Sequence, residues 1–311
     1  MIKRIVFMGT PDFAVASLSK ILDSNVQVAA VVTAPDRPAG RGQKLKQSAV
    51  KEFALKHEIL VLQPEKLKAD AFVRELQEIN ADLFVVVAFR MLPALVWQMP
   101  RLGTINLHGS LLPKYRGAAP INWAVINGDA ETGVTTFFIE QQIDTGQIID
   151  SASTVITKND TGGSVHDRLM VIGADLIVRT VHDIFDGKAT KKPQPESEVS
   201  HAPKIFKSDC KIDWSNHAID IFNKIRGLSP YPTAFTSITD GNVNKTLKLF
   251  MVDYIVDSTN NVAKLKLEDD KLWFGCANGW LQIMELQLEG KKRMPTSDFL
   301  KGFNILEWHP V

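Results

Sequence analysis

Ile5-Val-Phe-Met-Gly-Thr-Pro-Asp-Phe-Ala14 decides the class of fold. Ile5 to Met8 is a short, uninterrupted apolar run, the pattern of a strand covered on both faces. Gly9 permits a tight turn. Thr10-Pro11-Asp12 then reads as N-cap, N1 and N2 of a helix, because a Thr hydroxyl can cap an orphan amide and Pro is preset for the first turn. A buried strand leading straight into a helix is the first half of a βαβ unit. The pattern repeats outward from it. The first helix is expected to reach Asp23, Val26 to Thr33 is a second buried strand, helices follow near 48–57 and 70–80, and Asp82 to Ala88 is an almost uninterrupted apolar strand of central type. Thr104 to His108 is the next strand, followed by β segments over 133–140 and 147–156. Ser164 opens a long helix in which Val165, Leu169, Ile172 and Leu176 recur at spacings of four, three and four, and Gly187 stops it. Residues 1–187 are therefore expected to form an α/β domain around a mainly parallel sheet.

Residues 188–204 contain one apolar side chain larger than Ala or Pro, Val199, so they cannot build a core and read as a linker. Beyond it the texture changes. One short helix near 216–227 precedes short alternating strands separated by Asp240-Gly241, Asn260-Asn261, Asp269-Asp270 and Asn278-Gly279. Residues 205–311 are expected to form a small β-barrel of the OB type, with a sandwich as the alternative.

Composition excludes several classes of function. With 36 Lys and Arg against 35 Asp and Glu, the net charge of +1 gives no global attraction to nucleic acid or membrane, so a polyanion would have to meet local clusters. Cys210 and Cys276 are the only cysteines and form no C-x-x-C, which argues against structural zinc, a disulfide scaffold and thioredoxin-type chemistry and fits a reducing cytoplasm. No metal site is expected. The N-terminus is too short in apolar residues for a signal peptide, and the longest apolar run, Leu83 to Phe89, is too short to span a bilayer. Gly9-Thr-Pro-Asp-Phe-Ala14 lacks the later glycines of G-x-G-x-x-G and no Walker lysine follows, which removes the main support for nicotinamide or phosphate-loop binding.

The chemistry concentrates in Asn106-Leu-His-Gly-Ser-Leu-Leu-Pro-Lys-Tyr-Arg-Gly-Ala-Ala-Pro120. Strand period two puts Asn106 and His108 on one face with Leu107 on the other. An amide can donate to a developing oxyanion and an imidazole can exchange a proton, the two services acyl transfer needs. An isolated Asn-x-His also fits a strand-end cap beside a surface histidine. Leu111-Leu112-Pro113, however, is too apolar for a free loop and reads as the wall of a slot for a flat ligand. Asp144-Thr145-Gly146 lies in a turn between two β segments. It is either a simple turn or a carboxylate that orients the imidazole; the two such carboxylates and all-β body of an aspartic protease are missing.

Asn106-x-His108, Ser110-Leu-Leu-Pro113, the Gly117-to-Trp123 continuation and Ile143-Asp-Thr-Gly146 together resemble the formyltransferases that use 10-formyltetrahydrofolate. The likeness extends to Phe7-Met-Gly-Thr-Pro-Asp-Phe-Ala14, Pro35-Asp-Arg-Pro-Ala-Gly-Arg-Gly42, His201-Ala-Pro-Lys204, Ile212-Asp-Trp214, Ile225-Arg-Gly-Leu-Ser-Pro-Tyr-Pro-Thr-Ala234 and Gly290-Lys-Lys-Arg-Met294. At that extent the chain is most similar to the branch whose acceptor is methionyl initiator tRNA. The amino-sugar branch, which shares Leu111 to Gly117, is the alternative.

The resemblance implies a Rossmann-like fold, catalytic roles for Asn106, His108 and Asp144, and contact of Ser110, Leu111, Leu112 and Pro113 with the folate donor. Ala88-Phe89-Arg90-Met91-Leu92 departs from the Ala-Tyr-Gly-like turn common in the tRNA branch, and Phe89, Arg90, Met91 and Leu92 are expected on the pterin side of the pocket. Arg37, Arg41, Lys44 and Lys46 form a Pro/Gly-rich basic loop that reads as solvated chain on its own terms and, by the resemblance, as the loop that enters the tRNA acceptor end. Lys291 and Lys292, beside Arg293, are either a solvated turn or a phosphate contact. Trp214, Trp273 and Trp280 are expected in packing rather than as base-stacking platforms. A monomeric cytoplasmic enzyme is expected.

Overall fold

The computed structural model describes residues 3–39 and 44–311. The chain gathers into two compact units, one drawn from Met1–Gly117, Gly133–Thr154 and Asp167–His201, the other from Ala118–Thr132, Val155–His166 and Ala202–Val311.

The first unit begins with β1 (Arg4–Gly9), α1 (Asp12–Asp23), β2 (Gln27–Val32), β3 (Arg37–Ala39), β4 (Lys44–Lys46), α2 (Ala49–Lys56), β5 (Val61–Leu62), α3 (Asp70–Ile79), β6 (Leu83–Val87), α4 (Ala94–Trp97), β7 (Thr104–His108) and β8 (Arg116–Gly117). After α5 (Pro120–Ile126), which belongs to the second unit, β9 (Glu131–Phe138), β10 (Ile148–Val155) and α6 (Gly162–Asp186) bring most of their length back to it. The sheet order is β10-β9-β7-β6-β1-β2-β5. Its β1–β2, β2–β5, β1–β6 and β6–β7 pairs are parallel and its β7–β9 pair antiparallel. This is the expected Rossmann-like, mainly parallel sheet. The chain grows from β1 toward β2 and later returns on the other side at β6, so the order reverses there, where open α/β sheets form clefts beyond their strand ends.

Sequence explains these elements locally. All five residues of β6, Leu-Phe-Val-Val-Val, are buried, as a strand covered on both faces requires. Val6, Met8, Ala30, Val32, Phe84 and Val86 present one face of the sheet to Phe72 and Leu76 of α3 and Val96 of α4. On the other face, a Cβ placed on Gly173 of α6 would lie 2.9 Å from Leu107 Cδ2, so the small residue lets the helix press onto β7. Gly9 has a similar purpose: an added Cβ would meet Ala14 Cβ at 2.5 Å and Val87 O at 2.9 Å. The start of α1 differs from expectation by one residue. Pro11, not Thr10, is the N-cap, because its carbonyl accepts from Ala14 N at 2.9 Å and no side chain caps the end. Ser48 does cap α2, accepting from Lys51 N at 3.1 Å.

The second unit combines α5 with β11 (His201–Ala202), α7 (Ala218–Leu228), β12 (Ala234–Thr239), β13 (Asn244–Val256), β14 (Leu265–Glu268), β15 (Lys271–Cys276), β16 (Gly279–Leu288), β17 (Met294–Pro295), α8 (Thr296–Leu300) and β18 (His309–Pro310). The antiparallel sheet β14-β15-β16-β13-β12-β18 curls into a half-barrel, the form anticipated for the C-terminal part. Its core packs Phe222, Leu249, Leu281 and Ile283 with Trp214, whose ring stacks on Phe274 at 5.0 Å. Trp214 is thus a packing residue. Cys210 and Cys276 are buried free thiols whose pKa values burial pushes up. Asn122 Nδ2 donates to Gly227 O at 2.8 Å, joining α5 to α7. The buried Arg226 guanidinium donates to Asn223 Oδ1 at 2.8 Å and to the carbonyls of Thr157 and Asp160, each at 3.1 Å.

Among the described residues no helix is long and apolar enough to cross a membrane. The stretch after α6 is held by hydrogen bonds rather than by a core: Lys192 bridges Ile148, and Ser200 O accepts from Arg116 N at 2.9 Å.

Candidate active site

β7 ends at His108, and the chain then enters a loop that doubles back on itself through a cis Leu112–Pro113 bond. Buried hydrogen bonds define its shape. Thr135 Oγ1, on the neighbouring strand β9, donates to Ser110 O at 2.7 Å and accepts from Leu112 N at 3.1 Å. Ser110 Oγ donates to Lys114 O at 2.6 Å. The Ser110 hydroxyl therefore closes its own loop, and Leu112 is buried against the fold while Leu111 is half-exposed.

Asn106 and His108 lie on the face opposite Leu107, as the strand period requires. His108 is buried, with Nε2 2.8 Å from Tyr115 O. A carbonyl only accepts, so Nε2 carries the hydrogen, and Nδ1 is the position where a proton is held or released. Asp144 Oδ2 faces Nδ1 at 3.7 Å, too long for a hydrogen bond but close enough for an ion pair. The same oxygen accepts from the backbone N–H of Gly117 at 2.9 Å. Asn106 is half-buried, and its side chain makes no hydrogen bond among the described residues, so both amide hydrogens remain to be offered.

The Asp144-Thr145-Gly146 turn is tightly specified. Asp144 is left-handed at φ 55°, a conformation that Asp tolerates better than most residues. Gly146 cannot be anything larger, since a Cβ there would fall 1.7 Å from Phe138 O. Gln194 Nε2 donates to the carbonyls of Asp144 and Gly146, at 2.9 and 2.8 Å.

The Phe89–Leu92 segment leaves β6 beside β7, whose parallel pairing sets Val86 opposite Asn106. Its residues divide. Leu92 is buried, Phe89 half-buried, and Met91 is 68% exposed. Arg90 donates to Glu65 O at 2.9 Å and also to Pro64 O, so it ties this turn to the loop after β5. Burial, and then the nearby charge of Arg37, lowers its pKa.

The basic residues are divided between the two units. Arg37 and Lys46 are exposed and face each other across the β3–β4 ladder. Arg41 lies outside the described residues, and of Lys44 only the backbone is described. Lys291 and Lys292 are exposed in a turn of the second unit, where Lys291 N donates to Leu288 O at 2.9 Å. Thr135, Tyr115 and Gln194 shape the site without standing out in the sequence. Only Gln194 leaves a trace there, as the one amide between two prolines in a stretch with no core.

Similarity to known proteins covers both units. A family profile described as formyl transferase matches residues 3–181, and one described as formyl transferase, C-terminal domain, matches residues 204–304. The methionyl-tRNA formyltransferase of Parabacteroides distasonis is 50% identical over 317 residues, spanning 99% of this chain and 98% of the relative. That of Bacteroides fragilis is 47% identical over 311 residues, spanning 98% and 96%. Among solved structures, a sugar 3N-formyl transferase determined with dTDP and 5-N-formyl-THF shares the fold with TM-score 0.68 at 22% identity, over 94% of this chain and 100% of that one. An N-formyltransferase from Helicobacter canadensis, complexed with folinic acid and dTDP-3-aminofucose, shares it with TM-score 0.63 at 21% identity, over 94% and 100%.

Proposed function

The chain belongs to the formyl transferase family, and on that premise we propose that it moves the formyl group of 10-formyltetrahydrofolate to the α-amine of methionyl initiator tRNA. The observation that carries this reading is the 47–50% identity to methionyl-tRNA formyltransferases, which runs through both units. The donor is a substrate. The half-exposed Phe89 and Leu111 beside the unspent amide of Asn106 suit a flat pterin that ends in a polar reacting group.

The neutral amine attacks the formyl carbon, a C–N bond forms, and the carbonyl oxygen takes on negative charge. Asn106 donates to that oxygen from a side chain with no structural partner to lose. His108 joins it when Nε2 exchanges the Tyr115 carbonyl for the substrate oxygen. Asp144, anchored by Gly117 N–H, faces Nδ1 and keeps the imidazolium charge balanced while a water takes the proton shed by the attacking nitrogen and makes one available to the departing N10. The bond to the folate N10 then breaks, N10 takes up a proton, and a formamide and tetrahydrofolate remain. Asn106, His108 and Asp144 are thus the proposed catalytic residues, with Ser110 to Pro113 and Phe89 to Leu92 around the donor.

The same reading gives the basic clusters to the acceptor: Arg37, Arg41, Lys44 and Lys46 at its end, Lys291 and Lys292 along its backbone. The division into a catalytic domain 1–187, a linker 188–204 and a tRNA-binding domain 205–311 belongs to this proposal, supported by the extents of the two family matches. So does a monomer working in the cytoplasm. The test is to offer labelled 10-formyltetrahydrofolate with charged initiator tRNA or with a nucleotide-linked amino sugar. Label on the methionyl-tRNA is expected, and label on the sugar alone would overturn the assignment.

A further inference from the structure

We propose that Gln194 is a positioning residue that fixes Asp144 for proton handling at His108, an inference that rests on the formyl-transfer reading. Gln141, Gln142 and Ile143, which lead into the Asp144 turn, are exposed, and the first residue of the turn holds a left-handed conformation. Its carbonyls at Asp144 and Gly146 converge on one NH₂ group, that of Gln194, at 2.9 and 2.8 Å.

The other end of the amide is equally committed. Gln194 Oε1 accepts from Arg116 Nε at 2.9 Å. Because a guanidinium only donates, it dictates which end of the amide is oxygen and so turns the NH₂ toward the Asp144 turn. Arg116 is buried, and the next residue, Gly117, holds the Asp144 carboxylate itself through its backbone at 2.9 Å. One dipeptide therefore grips both parts of the aspartate, the carboxylate directly and the main chain through Gln194. Without the NH₂ group two converging carbonyls lose their donor, the turn relaxes outward, and the carboxylate leaves its place facing His108 Nδ1. A stretch of chain that builds no core thus sets the geometry of a proposed catalytic residue 50 positions earlier.

The experiment measures kcat and KM for formylation of charged initiator tRNA with the parent, Gln194→Met, Gln194→Glu, Asp144→Asn and the double variant Gln194→Met with Asp144→Asn. Gln194→Glu keeps length and the Arg116 partner, loses the donors and turns a negative charge toward the two carbonyls, whereas Gln194→Met loses the donors without adding charge. Both single Gln194 variants are expected to lower kcat about 10- to 100-fold with the donor KM within about twofold, the loss that displacement of a reacting group by about 1 Å produces. The double variant should be no slower than Asp144→Asn alone, because Gln194 acts through that carboxylate. Should Gln194→Met not fold, Gln194→Glu carries the decision. Parent-like kcat in Gln194→Glu, or losses that multiply in the double variant, would overturn the proposal while leaving the function intact. A parent that does not formylate methionyl-tRNA sinks the reading of function and this inference with it.

Discussion

Gly117 donates its backbone N–H to Asp144 Oδ2 at 2.9 Å, and that oxygen also faces His108 Nδ1 at 3.7 Å. The carboxylate thus has a structural partner and a chemical one on the same atom. Asp144→Asn keeps an acceptor for the Gly117 amide and removes the charge opposite the imidazole. The expected outcome is a melting temperature close to the parent with turnover lowered roughly 100- to 1000-fold. An Asn variant with high activity and an unchanged pH profile would take Asp144 out of the mechanism.

Asn106→Ala is the cleaner probe of oxyanion binding, because its amide holds no other group in place among the described residues. Loss of one such donor costs about 2.7–4 kcal/mol of transition-state stabilisation, roughly 100- to 1000-fold in turnover. Donor affinity should hardly change, since the interaction strengthens only as charge develops. Near-normal turnover with saturating substrates would refute the role.

Two glycines make a controlled contrast. A Cβ on Gly146 would fall 1.7 Å from a backbone oxygen, whereas at Gly187, φ 72°, it would meet nothing within 4 Å. Gly187→Ala should therefore cost only the left-handed conformation, about 1–2 kcal/mol, and leave activity intact. Gly146→Ala should abolish activity and lower the unfolding midpoint further. Equal effects in denaturation and turnover assays would contradict the account of the Asp144 turn.

Asp36 links stability to pH. The Lys51 ammonium at 2.6 Å, and then the Gln63 amide at 2.8 Å, hold its carboxyl below the ordinary value of 3.8. A group whose folded pKa is depressed contributes stability in full above its unfolded pKa and loses it as pH falls through the folded one. Denaturant midpoints of the parent and of Asp36→Asn should therefore differ by a constant amount above the ordinary carboxylate range. The difference should shrink in the acid range below 3.8, and a pH-independent difference there would count against the pairing.

Changing Lys291 and Lys292 to Ala tests their assignment to the tRNA backbone. Each lysine–phosphate pairing removed should reduce the salt dependence of tRNA binding by about 0.7–0.9 in the log–log slope. The readout is affinity across a salt series, and a slope equal to the parent's would return both lysines to the solvated turn.

Legibility in the sequence follows the range of the interaction. β7 is expected at Thr104–His108 and is found there, because a period-two apolar pattern is local information. The same period alone is enough to put Asn106 and His108 on one face. The N-cap of α1 moves from Thr10 to Pro11, a choice made by carbonyl geometry and invisible in composition. Arg90 is expected on the pterin side of the pocket, yet its guanidinium serves carbonyls 25 and 26 residues away. Thr135 and Gln194 act on the site only through hydrogen bonds across 23 to 78 positions, for which a single sequence carries no periodic signal.

The hydrogen bond from Asn122 to Gly227 spans 105 positions, and the residues 118–132 and 155–166 share a unit with chain that comes much later. During synthesis on the ribosome at about 5–20 residues per second, α5 emerges about 5–20 s before α7 exists. Through that interval Ile126 waits without its final neighbours, joined later by the carbonyls of Thr157 and Asp160, which precede Arg226 by 69 and 66 positions, and the nascent protein is exposed to aggregation and to chaperones. Birth order, as much as the finished structure, is a constraint under which this sequence folds.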